Sequence, residues 1–88
     1  MMKLTVFSNT HCKACQPFKE QMTKVLEHMA PELSFEDLNY NQNQKMASAL
    51  GVKFVPTLVI EEDGKTPVVL FGMNIIEKFK QILVDRKK

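Results

Sequence analysis

The sequence predicts an α/β fold in one domain over residues 1–88: a four-stranded mixed sheet with helices on both faces. Short β-branched and aromatic runs alternate with stretches of helical apolar spacing. Such alternation needs crossover connections that set neighbouring strands parallel. The last two apolar runs instead flank Asp63-Gly64, a strong hairpin signal, so they pair antiparallel. A chain of 88 residues has room for one core and not for two.

Residues 3–8 form the first strand, a β-branched and aromatic run that stops at the turn formers Asn9-Thr10. From Lys13 to about Met29, Phe18, Met22, Val25, Leu26 and Met29 share one helical face, and Pro31 closes the helix. Residues 33–38 alternate apolar and polar side chains, as a second strand does. Asn41 with Gln44 has the form of a capped helix start, and Gly51 suits a left-handed C-terminal position. Between them lies a second helix of about nine residues with Met46, Ala47 and Leu50 inward. Residues 57–60 and 68–71 make the hairpin, and Ile75, Ile76, Phe79, Ile82 and Leu83 keep helical spacing in the last helix. The expected order is βαβαββα.

A composition 44% hydrophobic and 25% charged is that of an ordinary soluble globule. Twelve basic and ten acidic residues are interleaved, so no basic stripe offers itself to a nucleic-acid backbone. Arg86-Lys87-Lys88 reads as a solvated tail and Glu61-Glu62-Asp63 as a solvated hairpin tip. No stretch approaches the ~20 apolar residues of a membrane span, and Met1-Met2-Lys3 leads into an alternating run and not a signal-peptide core. The expectation is a cytoplasmic protein, monomeric, with neither nucleic acid nor membrane as partner.

Cys12 and Cys15 are the only cysteines, and they fall where the first strand hands over to a helix. A helix N-terminus favours a thiolate over a thiol, so Cys12, expected in the helix's first turn, should ionise first, with Cys15 one turn inside and protonated for longer. That asymmetry suits thiol-disulfide exchange, in which an exposed thiolate attacks and a buried partner resolves the mixed disulfide. Other readings stand beside it: a metal shared between two chains through paired Cys-x-x-Cys motifs, or two inert buried thiols. A zinc site within one chain would need His28, which lies roughly four helical turns from the pair; no metal is expected there. Lys13 and His11 are the candidates for lowering the Cys12 pKa, against the plainer reading of two solvated side chains. Pro17, near the end of the first turn, removes at most one helical bond.

Val55-Pro56-Thr57 precedes an interior-looking strand, a setting that also fits a cis peptide in a tight turn. With Cys12-Lys13-Ala14-Cys15 before it and Gly72 after it, the sequence resembles the thioredoxin and glutaredoxin family over nearly its whole length. The resemblance implies a minimal thioredoxin fold, a cis Pro56 packed against the cysteines, and a Val55 backbone that pairs with substrate. It also implies a Gly72 that leaves the approach open. Val55, Pro56, Thr57, Gly72 and Met73 are thus the expected substrate-binding residues, with Phe54 adding to an apolar rim suited to a protein substrate.

The chain lacks the tryptophan before the first cysteine and the Gly-Pro between the cysteines that thioredoxins usually carry. Their extra N-terminal strand and helix, and the carboxylate on the strand leading into the motif, have no match here. It also lacks the Pro-Tyr of glutaredoxins, and Met73-Asn74 stand where those hold glutathione with an acidic or Ser-Asp pair. The expected function is a dithiol-disulfide oxidoreductase in which Cys12 attacks a protein disulfide and Cys15 resolves it. The redox pair is the only cofactor, and a thioredoxin reductase-like enzyme or glutathione restores the dithiol. A glutathione-dependent glutaredoxin and a metal or iron-sulfur binding dimer are the alternatives.

Overall fold

The computed structural model describes residues 2–86. Its elements follow the predicted order: β1 (Met2–Ser8), α1 (Cys15–Met29), β2 (Phe35–Asn39), α2 (Gln44–Leu50), β3 (Thr57–Glu62), β4 (Val68–Phe71) and α3 (Ile75–Arg86). The strands lie in the order β2-β1-β3-β4. β1 runs parallel to β2, with Leu4 opposite Phe35 and Ser8 opposite Asn39. It runs antiparallel to β3, which pairs antiparallel with β4. The α1 crossover accounts for the parallel pair, and the short loop through Asp63 and Gly64 for the hairpin.

β1 and β3 are central strands covered on both faces, which is why they read as near-continuous apolar runs. On one face Leu4, Val6, Leu58 and Ile60 meet Phe18, Met22, Val25 and Leu26 of α1 and Ile75, Phe79 and Leu83 of α3. On the other, Phe7 and Val59 meet Ala47 of α2 and Val52. The first core is the larger because two helices cover it, and each fully buried side chain of this kind contributes roughly 1.5–3 kcal/mol.

Four expectations are corrected. α1 begins at Cys15, not Lys13: Pro17 has no N–H to offer Lys13, so the first i→i−4 bond is Phe18 N–H to the Ala14 carbonyl, 3.1 Å. As the third residue of the helix, Pro17 gives up a donor that would have had no helical acceptor. β2 begins at Phe35 because Leu33 is still held in the turn after α1, its N–H donating to the Ala30 carbonyl at 2.9 Å. α2 spans seven residues with Asn43, not Asn41, at its N-cap, and no capping box forms; the Asn43 side-chain amide donates back to the Asn39 carbonyl at 2.9 Å. Met46 faces out at 47% exposure, leaving Ala47 and Leu50 inward.

Gly51 does hold the left-handed position, φ 81°, closing α2 with bonds to the Ala47 and Ser48 carbonyls. Arg86 is exposed at the end of α3; Met1, Lys87 and Lys88 lie outside the described residues. Among the described residues no helix is long and apolar enough to cross a membrane.

Candidate active site

The cysteine pair is built by two consecutive turns at the C-terminal end of β1. Asn9 makes the first: its side-chain oxygen accepts from the His11 N–H at 2.8 Å, and its carbonyl from the Cys12 N–H at 3.1 Å. An asparagine at the start of a turn does this because its side chain mimics a backbone acceptor. The second runs from the Cys12 carbonyl to the Cys15 N–H, 3.4 Å, and delivers Cys15 as the first residue of α1. Cys12 thus sits in the turn ahead of the helix, not in its first turn. The two sulfurs are joined in a disulfide, with Cα atoms 5.4 Å apart. Cys12 is half-buried, while Cys15 is 2% exposed because the helix start tucks it under the turn.

Two different surfaces flank this pair. On one side Ala14, Phe18, Pro56, Gly72 and Ile75 line a common hollow, so the cysteine turn, the turn before β3 and the one before α3 converge. The Val55–Pro56 peptide is cis. Beyond Pro56 an open cleft of about 430 Å³ is lined by Phe54, Val55, Pro56, Phe71 and Gly72. The Phe54 and Phe71 rings stack with centroids 5.3 Å apart and 27° between planes, yet stay 57% and 50% exposed. Gly72 (φ 81°) and Asn74 (φ 66°) both take left-handed backbone, which turns Met73 outward to 82% exposure. A Cβ on Gly72 would meet nothing within 4 Å, so the glycine answers to backbone conformation and open approach, not to packing.

The other side is polar. A groove of about 530 Å³ runs from Cys12 and Cys15 past Ser8 and Gln16 to Lys19, Asp37 and Asn39. Ser8 Oγ donates to Asp37 Oδ1 at 2.7 Å, and Lys19 Nζ donates to Asp37 Oδ2 at 2.8 Å. Partial burial by itself would raise the Asp37 pKa, but the hydrogen bonds from Lys19 and Ser8 and the charge of Lys19 together outweigh it. The carboxyl is held below its ordinary value.

The structure therefore brings Cys12, Cys15, Val55, Pro56 and Gly72 to one end of the sheet. Met73 stands at the rim, and His11 and Lys13 are solvent-exposed beside the pair. Thr57 departs from its expected place in a substrate contact: its side chain is fully buried and its hydroxyl donates to the Phe54 carbonyl at 2.6 Å. It ties down the turn that presents Val55 and Pro56. Sequence reasoning passed over Phe71, which only the hairpin register sets beside Phe54, and the Ser8-Lys19-Asp37 cluster. The four-residue spacing of Cys15 and Lys19 was the one available signal for the latter.

A family profile described as Thioredoxin matches residues 2–85. Thioredoxin-like protein 1 of Schizosaccharomyces pombe is 36% identical over 63 residues, 72% of this chain but 21% of its own length, so the chain spans about a fifth of that relative. The thioredoxin of Listeria monocytogenes is 24% identical over 80 residues, 91% of this chain and 78% of the relative. Among solved structures, a mutant thioredoxin from Halobacterium salinarum superposes with TM-score 0.78 at 26% identity, over 96% of this chain and 73% of its own. The thioredoxin of Trypanosoma brucei brucei shares the fold with TM-score 0.80 at 24% identity, over 97% and 74%. With its Cys12–Cys15 disulfide at the start of α1, the chain belongs to the thioredoxin family and is a dithiol-disulfide oxidoreductase.

Proposed function

We propose that this protein reduces disulfides in other proteins, with Cys12 as the attacking thiolate and Cys15 as the resolving thiol. The observation that carries this reading is the unequal exposure of two bonded cysteines, Cys12 half-buried and Cys15 2% exposed, at the end of the sheet that also carries the apolar cleft. Only the sulfur that a partner can reach is able to attack in line. The stacked Phe54 and Phe71, with Val55 and Met73, offer the side chains around a target disulfide a surface to pack on.

The exchange has two steps. The Cys12 thiolate displaces one substrate sulfur, which leaves as a thiolate and takes a proton from water, and a Cys12–substrate disulfide forms. Cys15 then loses its proton and attacks the Cys12 sulfur, releasing the second substrate sulfur and closing the Cys12–Cys15 bond. A reductase or glutathione returns the two electrons and the protons. In this family the poise runs from about −270 mV for reducing members to about −120 mV for oxidising ones. The reducing end suits a compartment such as the cytoplasm, where a protein whose two cysteines are the redox pair carries no structural disulfide to lose. A protein reductase is favoured over glutathione as the recycler, since apolar Met73 follows Gly72 on the rim.

The test is a trap. Cys15→Ser mixed with a disulfide-bonded protein should accumulate a covalent adduct through Cys12, resolved by added dithiothreitol, whereas Cys12→Ser should form none. An adduct through Cys15 in preference to Cys12 would reverse the assignment. Parallel turnover with a thioredoxin reductase and with glutathione plus its reductase then separates the two routes of recycling.

A further inference from the structure

We propose that Lys19 and Asp37 form a charge-balanced pair in which each residue offsets the other's effect on the redox equilibrium of Cys12 and Cys15, without touching substrate. They are the only charged residues, among those described, that line the groove holding both cysteines. Lys19 lies four residues after Cys15 on α1, hence on the same helical face one turn along. Asp37 reaches it from β2, and Ser8, the last residue of β1 and 7% exposed, fixes the second carboxylate oxygen. The three side chains thus come from three elements.

Reduction turns a neutral disulfide into a dithiol in which one sulfur is ionised: disulfide plus two glutathione thiols gives one protein thiol, one protein thiolate, glutathione disulfide and a proton. The negative charge created at the pair interacts with every fixed charge along the groove. Lys19 alone would favour the reduced form and Asp37 alone would oppose it, and a pair held at 2.8 Å largely cancels at the sulfurs. Removing either half unmasks the other. The inference rests only on Cys12 and Cys15 cycling between dithiol and disulfide, and holds for whichever direction the protein works in.

Lys19→Gln and Asp37→Asn should therefore move the equilibrium with glutathione in opposite directions. Asp37→Asn, which keeps one acceptor oxygen and turns the other into an amide donor, should favour the dithiol by about threefold to tenfold; tenfold is about 30 mV for a two-electron couple. Lys19→Gln should favour the disulfide by a similar factor, and the double variant should return to within about twofold of the parent. Cys12 alkylation should follow, its pH profile moving down in Asp37→Asn and up in Lys19→Gln. The other titratable groups bordering the cysteine turn are His11 and Lys13 within it and Glu77 of α3, and all three are unchanged in these variants. Shifts in the same direction, or neither exceeding twofold in variants shown folded by circular dichroism, would overturn the proposal. A parent pair that failed to equilibrate with glutathione buffers at all would instead overturn the redox assignment.

Discussion

The two sides of the cysteine pair differ in what they leave exposed. Towards Pro56 the surface is apolar and unfilled: two phenylalanines stacked on each other and still half exposed, a glycine with open space where its Cβ would be, and a methionine turned out to solvent. Towards Ser8 it is polar and internally satisfied, with a carboxylate that already accepts from a hydroxyl and an ammonium. Exposed apolar area of this kind is what a partner could pack on, whereas paired polar groups present little net charge. The division suits the proposed exchange, in which a target chain packs on the apolar side while a neutralised ion pair leaves the charge on the sulfurs little changed.

This contrast is open to test from several directions. Cys12→Ser is the reference for both sides and should abolish protein-disulfide reduction, measured as turnover with a protein reductase. Gly72→Val should destabilise the fold by about 1–3 kcal/mol in urea unfolding, the cost of left-handed backbone at a branched residue. It should also weaken protein-disulfide turnover, because the new side chain projects into the approach. Replacing both Phe54 and Phe71 by alanine should lower kcat/KM for a protein disulfide roughly tenfold, about 1.4 kcal/mol, and leave a small aromatic disulfide reagent within about twofold. Equal losses on both substrates would mean that the rings support the turn and do not dock a partner.

The smallest expected effect lies on the polar side. The Asp37 pKa is lower in the folded protein than its unfolded value of about 3.8, so its contribution is fully present above that value and is lost as the pH falls through the folded one. The stability difference between the parent and Asp37→Asn should be flat from neutrality to about pH 5 and shrink at more acid pH. With side-chain exposures of 23% for Lys19 and 41% for Asp37, its size should be at most about 1 kcal/mol. Urea titrations at pH 7 and pH 3 measure it, and a difference that grew at pH 3 would contradict the ion pair.

Much of this architecture was legible before any coordinates. The βαβαββα order followed from apolar periods of two and of 3.6 residues, and the hairpin from Asp63-Gly64. Helix starts were less legible. Pro17 moved the beginning of α1 from Lys13 to Cys15, and α2 starts at Asn43 in place of the expected Asn41, with the Asn43 side chain donating to the Asn39 carbonyl and not capping the helix. Met46 lies on the solvent side of α2, since the seven-residue helix turns Ala47 and Leu50 to the core.

By itself, then, the sequence determined the secondary-structure order, the sheet's mixed character and the placement of Cys12 and Cys15 at a strand-to-helix junction. All of these depend on local periodicity and turn chemistry. Only the tertiary structure decided which residues surround the pair. Phe71 meets Phe54 through strand register, Asp37 meets Lys19 across a sheet-helix interface 18 residues apart in the chain, and Thr57 withdraws beneath the Phe54 carbonyl. Such contacts join positions that share no local period. They are set by how the sheet and its helices pack, which no single stretch of sequence encodes.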